Sequence, residues 1–320
     1  MIYSKVIATG GYLPSHRVSN DALALQVETS DNWIVSRTGI QARHIAAPDE
    51  LTSDLACRAA EAIFTDMPEQ RQQINLLIVA TTTPDIIFPS TACIVQQKLG
   101  LEGSTPAFDI QAVCAGFIYA LATADAYIRS GMARKVLVIG AETMTKLLNW
   151  QDRSTCVLFG DGAGAVLLEA SDKPGIHCCK LAADGTRKNM LSVPGQLRSG
   201  QICGSPYLQM DGQAVFKFAV KVLSQMATDI LSEAQMCKEA INWFIPHQAN
   251  IRIIESTAKH LGLPMSRVVL TLPEQGNTSS ASVPLALDTA VRDGRIRRGD
   301  NILLEGIGGG FTWGAAVLTF

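Results

Sequence analysis

The chain repeats itself, and a repeat of this kind limits the folds open to it. Ile74-Asn75-Leu76-Leu77-Ile78 recurs as Ile241-Asn242-Trp243-Phe244-Ile245, and Leu99-Gly100-Leu101 recurs as Leu261-Gly262-Leu263. A helical pattern that stops at Gly131 is echoed by a small-residue helical pattern that stops at Gly294. Residues 136–140 are echoed by residues 302–306. The short, nearly continuous apolar runs suit strands buried on both faces. The chain is therefore expected to be α/β, with two similar strand–helix halves, 1–172 and 173–320, facing each other across a pseudo-twofold axis. Strand ends then converge, and ligands of α/β sheets favour the carboxyl ends of strands.

Residues 107–121, AFDIQAVCAGFIYAL, mark the centre of the first half. Residues 107–110 are expected to form a buried strand. From Phe117 the period changes: Phe117, Leu121, Ala124 and Ile128 share one helical face. Cys114 then falls where strand turns into helix, beside small Ala115 and Gly116. Unpaired N–H groups and the positive end of the helix dipole lie there. Both favour a thiolate, the nucleophilic form of cysteine. Counting back from Gly131 and Gly294, Cys114 and Asn277 hold matching places. His247 follows Pro246 at the end of its strand. The repeat thus brings Cys114, His247 and Asn277 toward one site.

Composition narrows the function. The chain has 320 residues, 47% of them hydrophobic, enough for a large core. A net charge of −2 without long charged runs argues against a nucleic-acid surface. The first residues, MIYSKVIATGGYLP, reach Gly-Gly and Pro too early for a signal peptide, and no apolar run is long enough to span a bilayer. A cytoplasmic protein without a membrane partner is expected. The eight cysteines are scattered and include no Cys-x-x-Cys pair. His177-Cys178-Cys179 is the nearest approach to a metal cluster. On a strand these side chains alternate between faces, so no metal site is assigned.

Local signals give further expectations. A strand over 2–10 ends at Gly10-Gly11, and one helix runs from about 20 to 36 behind the cap at 19–21. A helix over 52–64 precedes a strand over 74–80, a loop over 81–89 and a helix over 90–99. After a strand over 136–139, VLFGDGAGAVLLE at 157–169 reads as two short strands joined by a glycine turn. Gly160, Gly162 and Gly164 lead into a strand rather than a helix, which excludes a dinucleotide loop. Residues 185–207 form the longest expected loop. Ser279 and Ser280 are expected to cap or pack the following helix.

Cys114-Ala115-Gly116, Pro246-His247-Gln248-Ala249-Asn250 and Gly276-Asn277-Thr278-Ser279, with GGGFTWG at 308–314, occur in this order and spacing. Together they make the chain resemble the β-ketoacyl-[acyl carrier protein] synthases III, condensing enzymes of the thiolase fold, over essentially its whole length. The resemblance implies a thiolase-like fold with a layered αβαβα core. It also implies a homodimer and an acyl-CoA substrate, with no metal or redox cofactor. Cys114 would take an acyl group from coenzyme A. The N–H groups of Cys114 and Gly309 would form the oxyanion hole. His247 and Asn277 would stabilise the enolate formed when malonyl-[acyl carrier protein] loses carbon dioxide. A Cys-His-Asn set has a second reading, a papain-like hydrolase in which the Asn orients the His.

The resemblance extends to other positions. Trp33 and Arg153 match residues that sandwich the adenine of coenzyme A, although Trp33 would equally suit helix packing. Arg37 and Thr38 match contacts near the nucleotide, and Gly212, Ala249 and Asn250 match the wall of the pantetheine tunnel. Phe88 matches a residue lent across the dimer to the acyl pocket. Ile307 stands where family members often carry Phe, which alters the pocket near Cys114. Arg252, Lys259 and Lys217 are candidates for docking acyl carrier protein, or a merely solvated basic face. Acetyl-CoA is the expected primer. The alternatives are a condensing enzyme of secondary metabolism with a longer or aromatic primer, a thioester hydrolase, and a non-catalytic scaffold that binds carrier protein.

Overall fold

The structure, a computed structural model, describes residues 2–101, 103 and 105–320. The first half contains β1 (Tyr3–Tyr12), β2 (His16–Ser19), α1 (Asn20–Ala24), α2 (Asp31–Thr38), β3 (Ala42–Ile45) and α3 (Thr52–Asp66). It continues with β4 (Leu76–Ala80), α4 (Thr91–Lys98), β5 (Ala107–Ile110), α5 (Gly116–Arg129), β6 (Lys135–Thr143) and β7 (Asp161–Ser171). Then come β8 (Ile176–Ala183) and the short strands β9 (Leu191–Ser192), β10 (Gln196–Arg198), β11 (Gln201–Cys203) and β12 (Gln209–Met210). The chain ends with α6 (Gly212–Glu233), β13 (Trp243–Pro246), α7 (Ile251–Leu261), α8 (Leu272–Gln275), α9 (Ser282–Arg292), β14 (Asn301–Gly308) and β15 (Thr312–Thr319).

Two sheets stand face to face. One has the order β1-β7-β6-β4-β5, the other β13-β14-β15-β8. In the first, β4 lies parallel to β6 with Leu76 opposite Val136; in the second, β13 lies parallel to β14 with Trp243 opposite Ile302. The register therefore follows the sequence repeat pair for pair. The place that β5 takes beside β4 is held beside β13 by a single parallel bridge, Phe244 to Val268. Helices α5 and α9 fill the space between the sheets, with Phe117, Leu121, Ala124 and Ile128 from α5 and Val283, Ala286, Leu287 and Ala290 from α9 in one apolar layer. Helices α3 and α4 cover the outer face of the first sheet, and α6 and α7 the outer face of the second. The result is five layers, αβαβα.

The inner helices pack crosswise. A Cβ on Gly140 of β6 would lie 2.4 Å from the carbonyl oxygen of Ser280, in the turn before α9. A Cβ on Gly306 of β14 would lie 3.2 Å from Cα of Ala115 and 3.3 Å from the carbonyl oxygen of Cys114, before α5. Each half thus supplies the glycine strand on which the other half's turn rests.

Several expectations need correction. Strand β1 continues through Gly10-Gly11 to Tyr12. The helix expected over 20–36 is two helices, because Ser19 caps α1 and Ser30 caps α2 separately. Residues 157–169 do not form two strands: a turn leads into the single strand β7. Its glycines serve close packing, since a Cβ on Gly160 would meet the Gln275 carbonyl at 2.6 Å and one on Gly164 the Leu285 nitrogen at 2.5 Å. Strand β5 is half-buried at the sheet edge rather than fully buried. The structural partner of Cys114 is Ser280, not Asn277. Val113 and Ser279, each one residue earlier, share left-handed φ values of 49° and 51°. Helix α9 has 11 residues against 14 in α5, so counting from the glycines misses by three.

Candidate active site

Cys114 sits in a single 3-10 turn, Val113–Ala115, that feeds directly into α5. Val113 is β-branched and left-handed, a combination that costs about 1–3 kcal/mol and persists only where the surroundings enforce it. Thr312 Oγ1 enforces it by donating to the Ala112 carbonyl at 2.8 Å. Gly308 enforces it from β14, where a Cβ would lie 2.5 Å from the Cys114 nitrogen. The turn and the glycine-rich segment are therefore in direct backbone contact.

His247 is buried just beyond β13, with its N–H bonded to the Glu305 carbonyl at 2.7 Å. Its Nδ1 is 2.6 Å from Ser282 Oγ, at the start of α9. Ser282 Oγ also accepts the Gln248 backbone N–H at 3.4 Å. With the Ser282 hydroxyl donating to Nδ1, the imidazole proton is placed on Nε2, where it faces away from α9. Gln248 braces the same corner, donating to the Pro246 and Val269 carbonyls and accepting from the N–H groups of Thr271 and Leu272.

Asn277 follows Gly276, whose φ of +64° requires glycine and whose missing Cβ would lie 3.1 Å from the Leu158 carbonyl. The Asn277 N–H donates to Leu158, and its carbonyl accepts from Gly160. Its Oδ1 accepts the Ser279 N–H at 2.9 Å, so the amide NH₂ is left to face outward.

Cys114, His247 and Asn277 all line one cavity of about 540 Å³. Cys114 also lines a second cavity of about 500 Å³, with Met144, Leu147, Phe159, Leu208 and Gly309. The cysteine is thus a shared wall between a front and a rear chamber. Burial pushes its thiol up to about 12, the facing Ser279 hydroxyl opposing and Glu142 reinforcing the shift. Burial pushes His247 down to about 3. Burial thus works against the thiolate that the helix N-terminus favours, and it also favours the neutral imidazole of His247.

Of the remaining candidates, Trp33, Arg37, Thr38, Gly212, Ala249, Asn250 and Arg252 all line the front cavity. The guanidinium groups of Arg37 and Arg153 lie 4.5 and 5.2 Å from the Trp33 ring centroid. Asn250 caps α7 and donates to the Arg37 carbonyl, while Arg252 donates to the Ser36 carbonyl, so α2 and α7 form one rim. Ile307 lines the front chamber rather than the rear one. Lys217 lies in a separate surface pocket with Arg187 and Lys221. Lys259 is exposed near the far end of α7, about 10 Å from Arg252 along the helix. Phe88 is 82% exposed and lines neither chamber.

Ser282 and Glu142 were not legible as site residues. Ser279 and Ser280 do not cap α9: Ser279 Oγ donates to Glu142 and Ser280 Oγ to the Ala80 carbonyl. The one signal for Glu142 is a carboxylate at the end of the otherwise apolar run of β6. Cys178 and Cys179 take opposite faces of β8, with Cys178 toward α6 and Cys179 toward the inner layer. Among the described residues, no three His, Cys, Asp or Glu side chains are grouped to hold a metal ion. No helix among them is long and apolar enough to cross a membrane.

The paired sheets around two buried helices define a thiolase-like fold, with a cysteine at the junction of its chambers. Residues 108–185 match the model of 3-oxoacyl-[acyl-carrier-protein] synthase III, and residues 231–320 match that of its C-terminal part. The chain is 62% identical over 320 residues to β-ketoacyl-[acyl-carrier-protein] synthase III of Neisseria gonorrhoeae, covering 100% of both chains. The crystal structure of 3-oxoacyl-[acyl-carrier-protein] synthase III from Aquifex aeolicus aligns with a TM-score of 0.93 at 42% identity, over 99% of this chain and 100% of the other. The priming β-ketosynthase of the R1128 polyketide pathway aligns at 0.94 with 36% identity, over 99% and 96%. The chain belongs to the β-ketoacyl-[acyl-carrier-protein] synthase III family. It is a condensing acyltransferase, and its reaction is the one that initiates type II fatty-acid synthesis.

Proposed function

We propose that Cys114 carries the acyl group between two half-reactions, and that the primer is a short acyl-CoA, acetyl-CoA first. The observation that supports this is the position of Cys114 as the wall between two chambers, with His247 and Asn277 in the front one. In the first half-reaction the sulfur attacks the thioester carbonyl and the carbon–sulfur bond to coenzyme A breaks. The N–H groups of Cys114 and Gly309 receive the oxyanion. In the second, malonyl-[acyl carrier protein] enters the front chamber and its carbon–carboxylate bond breaks. The electron pair moves onto the thioester oxygen, held by His247 Nε2–H and Asn277 Nδ2–H. The enolate carbon then bonds to the acyl carbon, and the Cys114 carbon–sulfur bond breaks. Carbon dioxide, coenzyme A and 3-ketoacyl-[acyl carrier protein] leave.

The front rim suits coenzyme A. Trp33 with Arg153 takes the adenine, Arg37 and Thr38 the nucleotide, and Gly212, Ala249 and Asn250 the pantetheine, with no metal or other cofactor. Arg252 at the rim and Lys217, in its own surface pocket on α6, take the carrier protein. Lys259 stands further away and contributes less. The protein works as a cytoplasmic homodimer in which Phe88 of one copy closes the rear chamber of the other. Its exposure with Ile86 and Ile87, and the open edge of β5, support that reading. A rear chamber of about 500 Å³ exceeds what an acetyl group fills, which favours, as a second reading, longer primers of the polyketide-priming kind.

Intact-mass measurement after a panel of acyl-CoA thioesters, with the adduct mapped by peptide, decides between them. An acetyl adduct on Cys114, discharged only by malonyl-carrier protein, is expected. Adducts with longer or aromatic donors alone transfer the chain to the second reading. Free acid without malonyl addition marks a hydrolase, and no adduct with any donor marks a carrier-protein scaffold.

A further inference from the structure

We infer that the proton of Cys114 passes through the Ser279 hydroxyl to Glu142 when the sulfur is acylated, is held there while the acyl-enzyme lasts, and returns to the sulfur on condensation. The inference rests on the reading of Cys114 as the acylated residue. Glu142 is the next-to-last residue of β6 and has no solvent exposure. Its Oε2 accepts four hydrogen bonds: the N–H groups of Thr82 and Thr83 at 3.0 and 3.1 Å, and the hydroxyls of Thr83 and Thr81 at 2.6 and 3.2 Å. Thr81 Oγ1 accepts the Thr83 N–H, and Thr83 Oγ1 accepts the Thr143 N–H. Oε1 accepts from Ser279 Oγ at 3.0 Å, and the nearby Ser280 hydroxyl spends its hydrogen on the Ala80 carbonyl. One oxygen is saturated by donors that suit a carboxylate, and the other keeps room for a proton on the side of the nucleophile.

Ser279 is built for the middle position. It is held left-handed at φ 51°, tied through its N–H to Asn277, with its hydroxyl against the Cys114 sulfur. His247 is the poorer acceptor, because its Nδ1 is engaged with Ser282 and burial opposes the imidazolium. The turn before α5 brings Cys114 to Glu142. The loop after β4, the end of β6 and the turn before α9 bring only hydroxyls and backbone from Thr81, Thr82, Thr83, Thr143, Ser279 and Ser280. Burial raises the Glu142 carboxyl above its ordinary value, the direction that proton storage needs.

The transfer balances. The sulfur–hydrogen bond breaks as a hydrogen joins Ser279 Oγ, and the former Ser279 hydrogen joins Glu142 Oε1. The sulfur bonds to the acyl carbon, and coenzyme A leaves with the electron pair of its broken bond and takes a proton from solvent. In condensation the sulfur leaves with the electron pair of its bond and regains the stored proton, which restores the carboxylate. The stored proton also removes a negative charge from the site before the malonyl carboxylate arrives.

The test is single-turnover acyl transfer from acetyl-CoA between pH 5 and 10, read by intact mass, for the native protein, Glu142→Gln and Ser279→Ala. Thermal unfolding and coenzyme A affinity check that each variant is folded; Ser279→Ala, the smaller change, carries the test if Glu142→Gln is not. Native transfer should fall on acidification, with a midpoint above the ordinary carboxylate value. Both variants should be slower by about 100-fold near neutrality, lose that midpoint, and rise tenfold per pH unit as solvent hydroxide takes over. Folded variants with native rates and profiles overturn the relay while leaving Cys114 as the acylated residue. A native protein that forms no adduct on Cys114 overturns that residue's assignment, and the relay with it.

Discussion

At the scale of single residues, the site separates its tasks by the way each polar atom is held. Asn277 spends its oxygen on Ser279 and keeps its NH₂ for the chamber, and His247 spends Nδ1 on Ser282 and keeps Nε2–H. Both can donate, which is what the proposed stabilisation of developing negative charge asks of them. Cys114→Ala is expected to abolish acyl transfer. His247→Ala and Asn277→Ala should keep the acyl adduct and lose condensation by about two to three orders of magnitude. Separate mass and product assays check this, and normal condensation in either variant sinks the assignment. The depressed basicity of His247 also has a sign. Its folded pKa, about 3, lies below the ordinary 6.5, so the unfolded chain binds the proton more readily. Stability is full above about pH 6.5 and is lost as pH falls toward 3. Urea unfolding should show about 2 kcal/mol less stability at pH 5 than at pH 7.5 from this group, a slope that His247→Gln should flatten. Cysteine, histidine and asparagine were legible because short motifs surround them. Ser282 and Glu142 were not, because their partners lie 35 and 137 positions away.

At the scale of elements, the glycines carry the geometry. The repeat correctly paired β4 with β13 and β6 with β14, since buried strands keep their period. It failed inside the helices, where α9 is three residues shorter than α5. Only the paired left-handed residues Val113 and Ser279 fix that register, and backbone strain leaves no mark in composition. The glycines at 160–164 mimic a nucleotide loop for a similar reason: close approach of α8 and α9 demands them, and the sequence does not show what approaches. Gly140→Ala and Gly308→Ala should each cost about 1–3 kcal/mol by overpacking. Their effects on chemistry should differ. Gly308→Ala pushes on the Cys114 nitrogen and should slow acyl transfer, whereas Gly140→Ala pushes on Ser280 and should mainly lower the melting temperature. Equal loss of acyl transfer in both would refute the distinction.

At the scale of the whole molecule, neither half completes its own surroundings. The chain from 1 to 172 contains Cys114, and the chain from 173 to 320 contains His247, Asn277 and the strand against which the cysteine turn rests. We propose these as the two units of the repeat, joined between Ser171 and Ile176. Expressed separately, they should not fold to stable species, because α5 and α9 each need both sheets. Co-expressed, they should associate and regain acyl transfer, read by size-exclusion chromatography and adduct mass. A stable, monomeric first half would argue against the division. The crossed packing has one more consequence. A polypeptide with one such half could build this interior only as a symmetric pair, with two equal turns and two equal sites. Joining the halves in one chain releases them from being equal: one turn can keep a thiol for chemistry while the other, at Ser280, spends its hydroxyl on the Ala80 carbonyl and becomes scaffold.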